Sequence, residues 1–244
     1  TEEMREASIP RPHRIAIATD NEMYRRDGSL DGRRYRDVYV VDISSGQRRL
    51  VLEKYRWMTL PSPTGEKLLY YAKRHFHVLD VKSGKSRNIT KQVKTSFVDQ
   101  EDDHNIIDPP HSPVGWSQDG KAVLLFDGWD IWKIPTAGGK AINLTVNGRK
   151  NNIRYQRRYV TDPDEIGIDL AQPMFVSMYG ERNKKGGVGR IASGKPGVEV
   201  LAWSDHRYGS FSKAENHDLF TFTRESESES VSYTHLTLPT MELV

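Results

Sequence analysis

The sequence contains no cysteine, which excludes disulfide bonds, thiolate metal ligands and a cysteine nucleophile. It also lacks any run of about eighteen apolar residues, the length that a membrane-spanning helix requires. The 36 Lys and Arg residues exceed the 33 Asp and Glu residues by only three, and they are scattered among the acids. Because nucleic-acid binding requires a concentrated basic surface, we expect no nucleic-acid partner and no membrane span.

Two further absences concern the ends of the chain and its chemistry. The first residue is Thr1, and the segment that follows has no apolar core of a signal peptide, so we expect that the native N-terminus and any targeting signal precede this sequence. No serine has glycine at both positions two residues away, which is the pattern of the nucleophile elbow in α/β-hydrolases. The sequence therefore predicts no catalytic residue, and it gives no indication of a cofactor.

Short apolar or alternating segments, bounded by Gly, Pro, Asp and Ser, recur along the chain and predict an all-β protein. Three of these segments align without gaps, namely DVYVVDISSGQRRLV, HFHVLDVKSGKSRNIT and DIWKIPTAGGKAINLT. Each begins with a strand and has a turn glycine nine positions on, at Gly46, Gly84 and Gly139. Since glycine supplies the positive φ of a tight turn, each segment is predicted to be an antiparallel hairpin.

A second shared element precedes two of these hairpins, as SPTGEKLLYY from Ser62 and SQDGKAVLLF from Ser117. A Ser-x-x-Gly turn here joins two more strands, so each repeat contains four strands. The distance from Gly46 to Gly84 is 38 residues, close to the length of a propeller blade, and from Gly84 to Gly139 it is 55. The sequence thus predicts a partial β-propeller of about four four-stranded blades over residues 1–225, with an incomplete ring and the start of a fifth blade.

The longer interval contains a polar, proline-rich segment at residues 91–114, which we call the insertion. It carries five candidate functional side chains within ten residues: Asp102, Asp103, His104, Asp108 and His111. Such residues would contact a substrate, for instance its amino group, or would bind a divalent cation; a solvated charged loop is the simpler interpretation. We predict substrate contact for this loop and no metal.

Other patterns have structural explanations. The aromatic residues Trp116, Phe126, Trp129 and Trp132 are predicted to pack between blades rather than to bind a ligand. The basic segment around Arg157 and Arg158 is predicted to be an ion-paired surface rather than an anion site. Asn88-Ile89-Thr90 and Asn143-Leu144-Thr145 match the glycosylation pattern but occupy equivalent repeat positions, which favours a structural role.

One long segment, GWSQDGKAVLLFDGWDIWKI with INLTVNGRK, resembles the propeller of bacterial prolyl oligopeptidase family members, the S9 serine peptidases, and especially the larger forms of Bacteroidetes. The similarity covers residues 38–223. The matching residues are Trp116, Asp119, Gly120, Asp127, Asp130, Ile131, Trp132, Asn143, Leu144, Thr145, Gly148, Arg149 and Lys150, with the EDDH loop before them. The Trp-Ser-x-Asp-Gly part alone is shared with TolB-like propellers.

The resemblance implies a non-catalytic propeller that gates and filters peptides for a C-terminal α/β-hydrolase domain of the same chain. It also implies a periplasmic or secreted location. Two alternatives stay open at this point: a stand-alone TolB-like propeller that binds other proteins, and a propeller enzyme with a metal held by the insertion.

The last part of the sequence, residues 226–244, differs from the repeats. An acidic low-complexity ESESES stretch is followed by VSYTHLTLPT, which resembles a sequencing adapter translated in frame. We expect this segment to be non-native and without function, the alternative being an ordinary β-prone terminal strand.

Overall fold

The computed structural model describes residues 6–8, 15–26, 28, 34–214, 217, 219–226 and 229–237, with the backbone alone for 6–8 and 229–237. The described residues form five antiparallel sheets in which each strand pairs with the next along the chain. We call these sheets blades 1 to 5. Blade 1 consists of β1 (Glu6–Ser8), β2 (Ile15–Asp20), β3 (Arg36–Asp42) and β4 (Arg48–Tyr55), and blade 2 of β5 (Leu60–Pro61), β6 (Lys67–Ala72), β7 (His75–Asp80) and β8 (Ser86–Asn88).

The remaining strands continue the same meander. Blade 3 consists of β9 (Pro113–Trp116), β10 (Ala122–Phe126), β11 (Ile131–Pro135) and β12 (Ile142–Asn143), and blade 4 of β13 (Ile153–Tyr159), β14 (Met174–Gly180), β15 (Gly186–Ile191) and β16 (Glu199–Ser204). Blade 5 consists of β17 (Arg207–Lys213), β18 (Leu219–Ser226) and β19 (Glu229–Thr237). Short helical segments lie at Glu22–Tyr24 and Gly148–Asn151, and no helix among the described residues is long and apolar enough to cross a membrane. The predicted all-β partial propeller is therefore confirmed.

Each pair of adjacent blades encloses its own hydrophobic core. Neighbouring residues of a central strand point to opposite faces, so one strand serves two cores. In blade 2, Leu68 packs in the core shared with blade 1, and Leu69 packs in the core shared with blade 3. In blade 4, Val176 faces blade 3 while Phe175 faces blade 5. The apolar strands predicted from the sequence are thus the central strands of blades. Those of blades 2 to 4 lie between two neighbouring blades, whereas in β3 of blade 1 only Val38 and Val40 are buried.

The repeated turns have the predicted conformations. Gly46, Gly84 and Gly139 lie between the third and fourth strands of blades 1 to 3, with φ of 70°, 70° and 118°. In the Ser-x-x-Gly turns, the buried hydroxyl of Ser62 accepts a hydrogen bond from the Lys67 amide at 3.1 Å, and that of Ser117 accepts one from the Ala122 amide at 2.9 Å. Both hydroxyls satisfy a backbone group inside the turn, which explains their repetition in the sequence.

The two Asn-x-Thr patterns also have a structural role, as predicted. The hydroxyls of Thr90 and Thr145, both buried, accept hydrogen bonds from the amides of Phe76 and Ile131 at 3.0 Å. The side chains of Asn88 and Asn143 accept hydrogen bonds from the backbone amides that follow them. These residues end the fourth strand and attach it to the third strand of the same blade.

The four aromatic residues occupy two environments. Trp116 is buried between blades 2 and 3 and donates its indole N–H to the Leu60 carbonyl at 3.0 Å. Trp132 and Phe126 are half-buried against the cores on either side of blade 3, as predicted. Trp129 instead lies beside the guanidinium groups of two arginines on the surface of the propeller.

Strand β19 pairs with β18 and falls in the segment predicted to be non-native. This pairing agrees with the β-prone character of residues 231–238 in the sequence. The origin of residues 226–244 stays a prediction, and residues 238–244 lie outside the described residues.

Candidate functional site

One end of the propeller carries the insertion. In a four-stranded meander, the turn between the second and third strands lies at the same end as the connection to the next blade. In blade 4, for example, Ile153 pairs with Gly180, and Gly186 pairs with Ser204. The insertion connects blade 2 to blade 3, so it lies at this end together with the β6–β7, β10–β11 and β14–β15 turns. We call this end the insertion face.

The base of the insertion is fixed to the propeller. Phe97 and Val98 are buried in the core between blades 2 and 3. The two legs of the loop pair with each other, since the Asp99 amide donates to the Pro109 carbonyl at 2.7 Å and the His111 amide donates to the Phe97 carbonyl at 3.0 Å. The insertion is therefore anchored at its base by apolar burial and backbone pairing, and its charged residues lie further out.

Three of the predicted site residues form the exposed tip of the insertion. Nδ1 of His104 lies 3.3 Å from a carboxylate oxygen of Asp102 and 3.7 Å from one of Asp103. The side chain of Asp103 is 95% exposed and that of His104 is 75% exposed. The tip thus presents the Asp103 carboxylate and the His104 imidazole to solvent, with the Asp102 carboxylate, 21% exposed, beside them, an arrangement that suits a cationic group such as a peptide amine.

Asp108 lies on the returning leg of the insertion and has a different partner. Its carboxylate is 2.7 Å from the guanidinium of Arg74 in the β6–β7 turn, and its carbonyl accepts a hydrogen bond from the Tyr71 hydroxyl at 2.9 Å. Asp108 has φ of 49°, a left-handed conformation at a non-glycine residue. It therefore connects the insertion to blade 2.

His111, the fifth candidate, points inward. Its ring packs on Phe126 with centroids 5.2 Å apart, and its Nδ1 is 3.5 Å from a carboxylate oxygen of Asp99. A Cβ atom at Gly128 would lie 3.0 Å from His111 Nε2, so the ring packs closely against this glycine. Burial lowers the pKa of His111, while the Asp99 and Asp127 carboxylates act in the opposite direction. His111 attaches the end of the insertion to blade 3.

The five candidates therefore do not converge on one point. Among the described residues, no group of three or more His, Asp or Glu side chains could hold a metal ion. The interpretation of the insertion as a metal site thus has no ligand set in that part of the chain.

A residue that the sequence reasoning did not single out holds the insertion in place. Arg154, at the start of blade 4, lies 2.7 Å from Glu101 of the insertion and 2.6 Å from Glu181 of the β14–β15 turn. It also donates to the Gly128 carbonyl at 3.3 Å, and its guanidinium lies 4.5 Å from the centre of the Trp129 ring. We call this group the Arg154 bridge.

The electrostatics of the bridge are consistent with its geometry. Only 14% of the Arg154 side chain is exposed. The hydrogen bond with Glu101 raises the pKa of Arg154, and the hydrogen bond from Arg154 lowers the pKa of Glu181. The bridge therefore joins the insertion to blade 4, across the β10–β11 turn of blade 3.

The basic segment that contains Arg154 was predicted to be an ion-paired surface. This holds for Arg154 and for Arg158, whose guanidinium pairs with Glu165. Arg157 differs, because its guanidinium lies over the Tyr159 ring at 5.1 Å and forms no ion pair within the described residues. Three arginines in one strand, Arg154, Arg157 and Arg158, indicate that acidic partners lie nearby, but the sequence does not show which acidic residues these are.

The β10–β11 turn beneath the bridge is built from residues of the motif that resembles S9 peptidases. The Asp127 carboxylate accepts hydrogen bonds from the Trp132 indole and from the Thr95 hydroxyl of the insertion, both at 2.8 Å. The Asp130 carboxylate, buried, accepts from the Thr145 hydroxyl at 2.6 Å and from the Gly148 amide at 2.9 Å. These motif residues therefore shape blade 3 and support the insertion.

Comparisons with known proteins agree with this architecture. No protein-family model matches the chain, and no curated protein sequence matches it. Among solved structures, a prolyl endopeptidase matches with a TM-score of 0.58 and 12% identity over 96% of this chain and 34% of its own. Dipeptidyl peptidase 4 from Porphyromonas gingivalis matches with 0.59 and 9% identity over 96% of this chain and 38% of its own.

A eukaryotic initiation factor also matches, with a TM-score of 0.52 and 12% identity over 95% of this chain and 51% of its own. The chain thus spans about a third of the length of the two peptidases and about half that of the initiation factor. At these identities the similarity shows a shared fold and leaves the activity open. The described residues form a partial β-propeller, and the solved structures similar to it include a prolyl endopeptidase and a dipeptidyl peptidase.

Proposed function

We propose that this chain is the propeller segment of an S9-type serine peptidase, without catalytic residues of its own, which gates and filters peptides for an α/β-hydrolase domain of the same polypeptide. The observation that carries the proposal is the insertion: an exposed charged tip on a base that is anchored in the core. A filter needs both properties, because its contact groups must be accessible and its position must be fixed.

The chemistry of the tip suggests what the filter contacts. Asp102 and Asp103 would receive the α-amino group of a peptide, and the His104 imidazole lies beside both carboxylates. Asp108 and His111 would hold the returning leg of the loop on blades 2 and 3, through Arg74 and Phe126. The Arg154 bridge would set how far the tip can move from the propeller.

The proposal is tested on the product of the complete genomic reading frame. We expect that this product reacts with a fluorophosphonate probe at a serine and cleaves short peptides. The Asp102→Asn, Asp103→Asn variant should raise KM several-fold for peptides with a free N-terminus and leave KM for N-acetylated peptides unchanged. Asp164→Asn is the matched control, since this exposed acid lies in the β13–β14 loop at the opposite end of the propeller.

A reading frame without a hydrolase domain, or a product that the probe does not label, would contradict the proposal. It would favour the second candidate, a stand-alone propeller of TolB type that binds other proteins. Ile107 favours that candidate, because this apolar side chain is 83% exposed beside the charged tip.

A further inference from the structure

A cleft of about 790 Å³ opens between blades 4 and 5 at the insertion face. Its volume is in the range of small-ligand sites, about 300–1,000 Å³. It is lined by residues of both blades and of the connection between them, among them Arg157, Tyr179, Asp205 and Tyr208. Neither the insertion nor the Arg154 bridge contributes to this lining.

A short side chain on the blade 5 side of β14 opens the cleft. Phe175, Ser177 and Tyr179 alternate along β14 and share the face toward blade 5. Phe175 packs on Phe211 and Phe220 of blade 5, with ring centroids 5.0 Å and 4.6 Å apart. Ser177 is too short to continue this aromatic packing. Gly186, which pairs with Tyr179, lets the connection between the two blades approach, since a Cβ atom there would clash with the His206 carbonyl oxygen. The two sheets therefore remain in contact at one end and separate at the other.

The charges in the cleft leave one cation unmatched. Lys184 lies 3.5 Å from Glu181, and Arg207 lies 3.6 Å from Glu225. Asp205 has a partner in Lys185 at 3.8 Å. Arg157 forms no ion pair within the described part of the chain, and its guanidinium is held 5.1 Å from the centre of the Tyr159 ring.

This pattern favours a ligand with a single negative charge. A carboxylate can receive two parallel hydrogen bonds from a guanidinium, which makes arginine its most specific partner. A polyanion such as a nucleic acid would bring further negative charges to a cleft whose other cations, among the described residues, already have acidic partners. The aromatic rings of Tyr179 and Tyr208 offer apolar contact for the remainder of the ligand.

We propose that the cleft between blades 4 and 5 binds a peptide segment through one carboxylate, which pairs with Arg157. That the ligand is a peptide rests on the proposed function, whereas the position of the site rests on the geometry of the cleft. The carboxylate comes either from an acidic side chain or from a peptide C-terminus. In either case the cleft is a second point of peptide recognition, separate from the tip of the insertion.

The test uses fluorescein-labelled pentapeptides and fluorescence anisotropy with the 244-residue chain. One peptide carries glutamate and an amidated C-terminus, a second has glutamine in its place, and a third has glutamine and a free C-terminus. We expect the second to bind about tenfold more weakly than the first, which is the size of one charge-assisted hydrogen bond. The third identifies whether a terminal carboxylate can replace the side chain.

Two variants locate the binding. Arg157→Gln should weaken the glutamate peptide about tenfold and leave the glutamine peptide unchanged, since only the charge-assisted contact is lost. Ser177→Phe should weaken all peptides by filling the cleft without a change in charge. Lys140→Gln is the control, because it removes one exposed positive charge in the β11–β12 turn at the opposite end of the propeller.

Several results would overturn the inference. The first is equal affinity for the glutamate and glutamine peptides when both carry an amidated C-terminus. The second is an effect of Arg157→Gln on the affinity of the glutamate peptide that is no larger than the effect of Lys140→Gln. The third is displacement of the acidic peptide by inorganic phosphate or an oligonucleotide at a lower concentration than by unlabelled peptide. Failure here leaves the proposed function intact, because that function is tested by labelling and cleavage with the complete product.

Discussion

The Arg154 bridge allows a quantitative test of how the insertion is held. Two unit charges about 4 Å apart interact by about 4 kcal/mol at an effective dielectric constant of 20. The carboxylate side chains of Glu101 and Glu181 are 63% and 36% exposed, so solvent screens much of this energy. An exposed ion pair contributes up to about 1 kcal/mol to stability, and removal of one partner from a buried pair costs about 3–5 kcal/mol. Because the Arg154 bridge is half-way between these cases, we expect the loss of the Arg154 charge to cost about 2 kcal/mol.

The perturbation is Arg154→Gln, and the assay is amide hydrogen exchange over residues 97–111. If the bridge limits local opening of the insertion, a loss of about 2 kcal/mol accelerates exchange about thirtyfold in this segment. Glu101→Gln removes only one of the two carboxylate contacts and should accelerate exchange by a smaller factor, about fivefold. The double variant should not exceed Arg154→Gln, since the two residues act through the same contact.

The control is Arg190→Gln, which removes an ion pair of the same chemistry. Arg190 lies 2.5 Å from Glu199 across β15 and β16, and its variant should leave exchange in the insertion unchanged. Equal exchange in the insertion for Arg154→Gln and Arg190→Gln would refute the role assigned to the bridge. An additive effect in the double variant would show that Glu101 acts independently of Arg154.

Two further predictions concern the stability of the blades. Thr145→Val should lower the free energy of unfolding by about 3 kcal/mol, because the buried Ile131 amide and Asp130 carboxylate each lose a hydrogen bond. Thr145→Ser keeps the hydroxyl and should lower this free energy much less. Equal midpoints of urea unfolding for the two variants would contradict this prediction. Hydrogen bonds from Ser44 and Ser45 lower the pKa of Asp42 to about 2 from 3.8, so its contribution to stability is present above pH 3.8 and is lost as the pH falls toward 2. Asp42→Asn should therefore flatten the pH dependence of stability between pH 4 and pH 2, and a carboxyl titration midpoint near 3.8 by NMR would refute the assignment.

The blades could be predicted from the sequence because their markers are local. The Gly84 turn is closed by a hydrogen bond from the Gly84 amide to the Asp80 carbonyl, four residues away, and the Ser117 hydroxyl bonds within five residues. These turn residues recur at the same spacing in the repeats that contain them. Their alignment therefore indicated the strands, the hairpins and the position of the insertion before any tertiary contact was known.

The candidate site could be predicted only in part. The spacing of the repeats located the insertion, and the tip residues Asp102, Asp103 and His104 do lie together. Asp108 was grouped with them by sequence distance, yet its ion-pair partner is Arg74, which lies 34 residues earlier. Proximity along the chain does not determine the partners of a side chain when the loop folds back on two different blades.

By itself the sequence determined a propeller of four-stranded repeats with one charged insertion, since alternation and turn glycines act within a few residues. Only the tertiary structure decided which charges are paired. Arg154 and Arg157 are three residues apart on β13, and the pairing with β14 shifts register between them. One reaches Glu101, 53 residues away, while the other faces the cleft beside blade 5. Ion pairing depends on residues brought together by the packing of separate blades, and no local pattern in this strand encodes that packing.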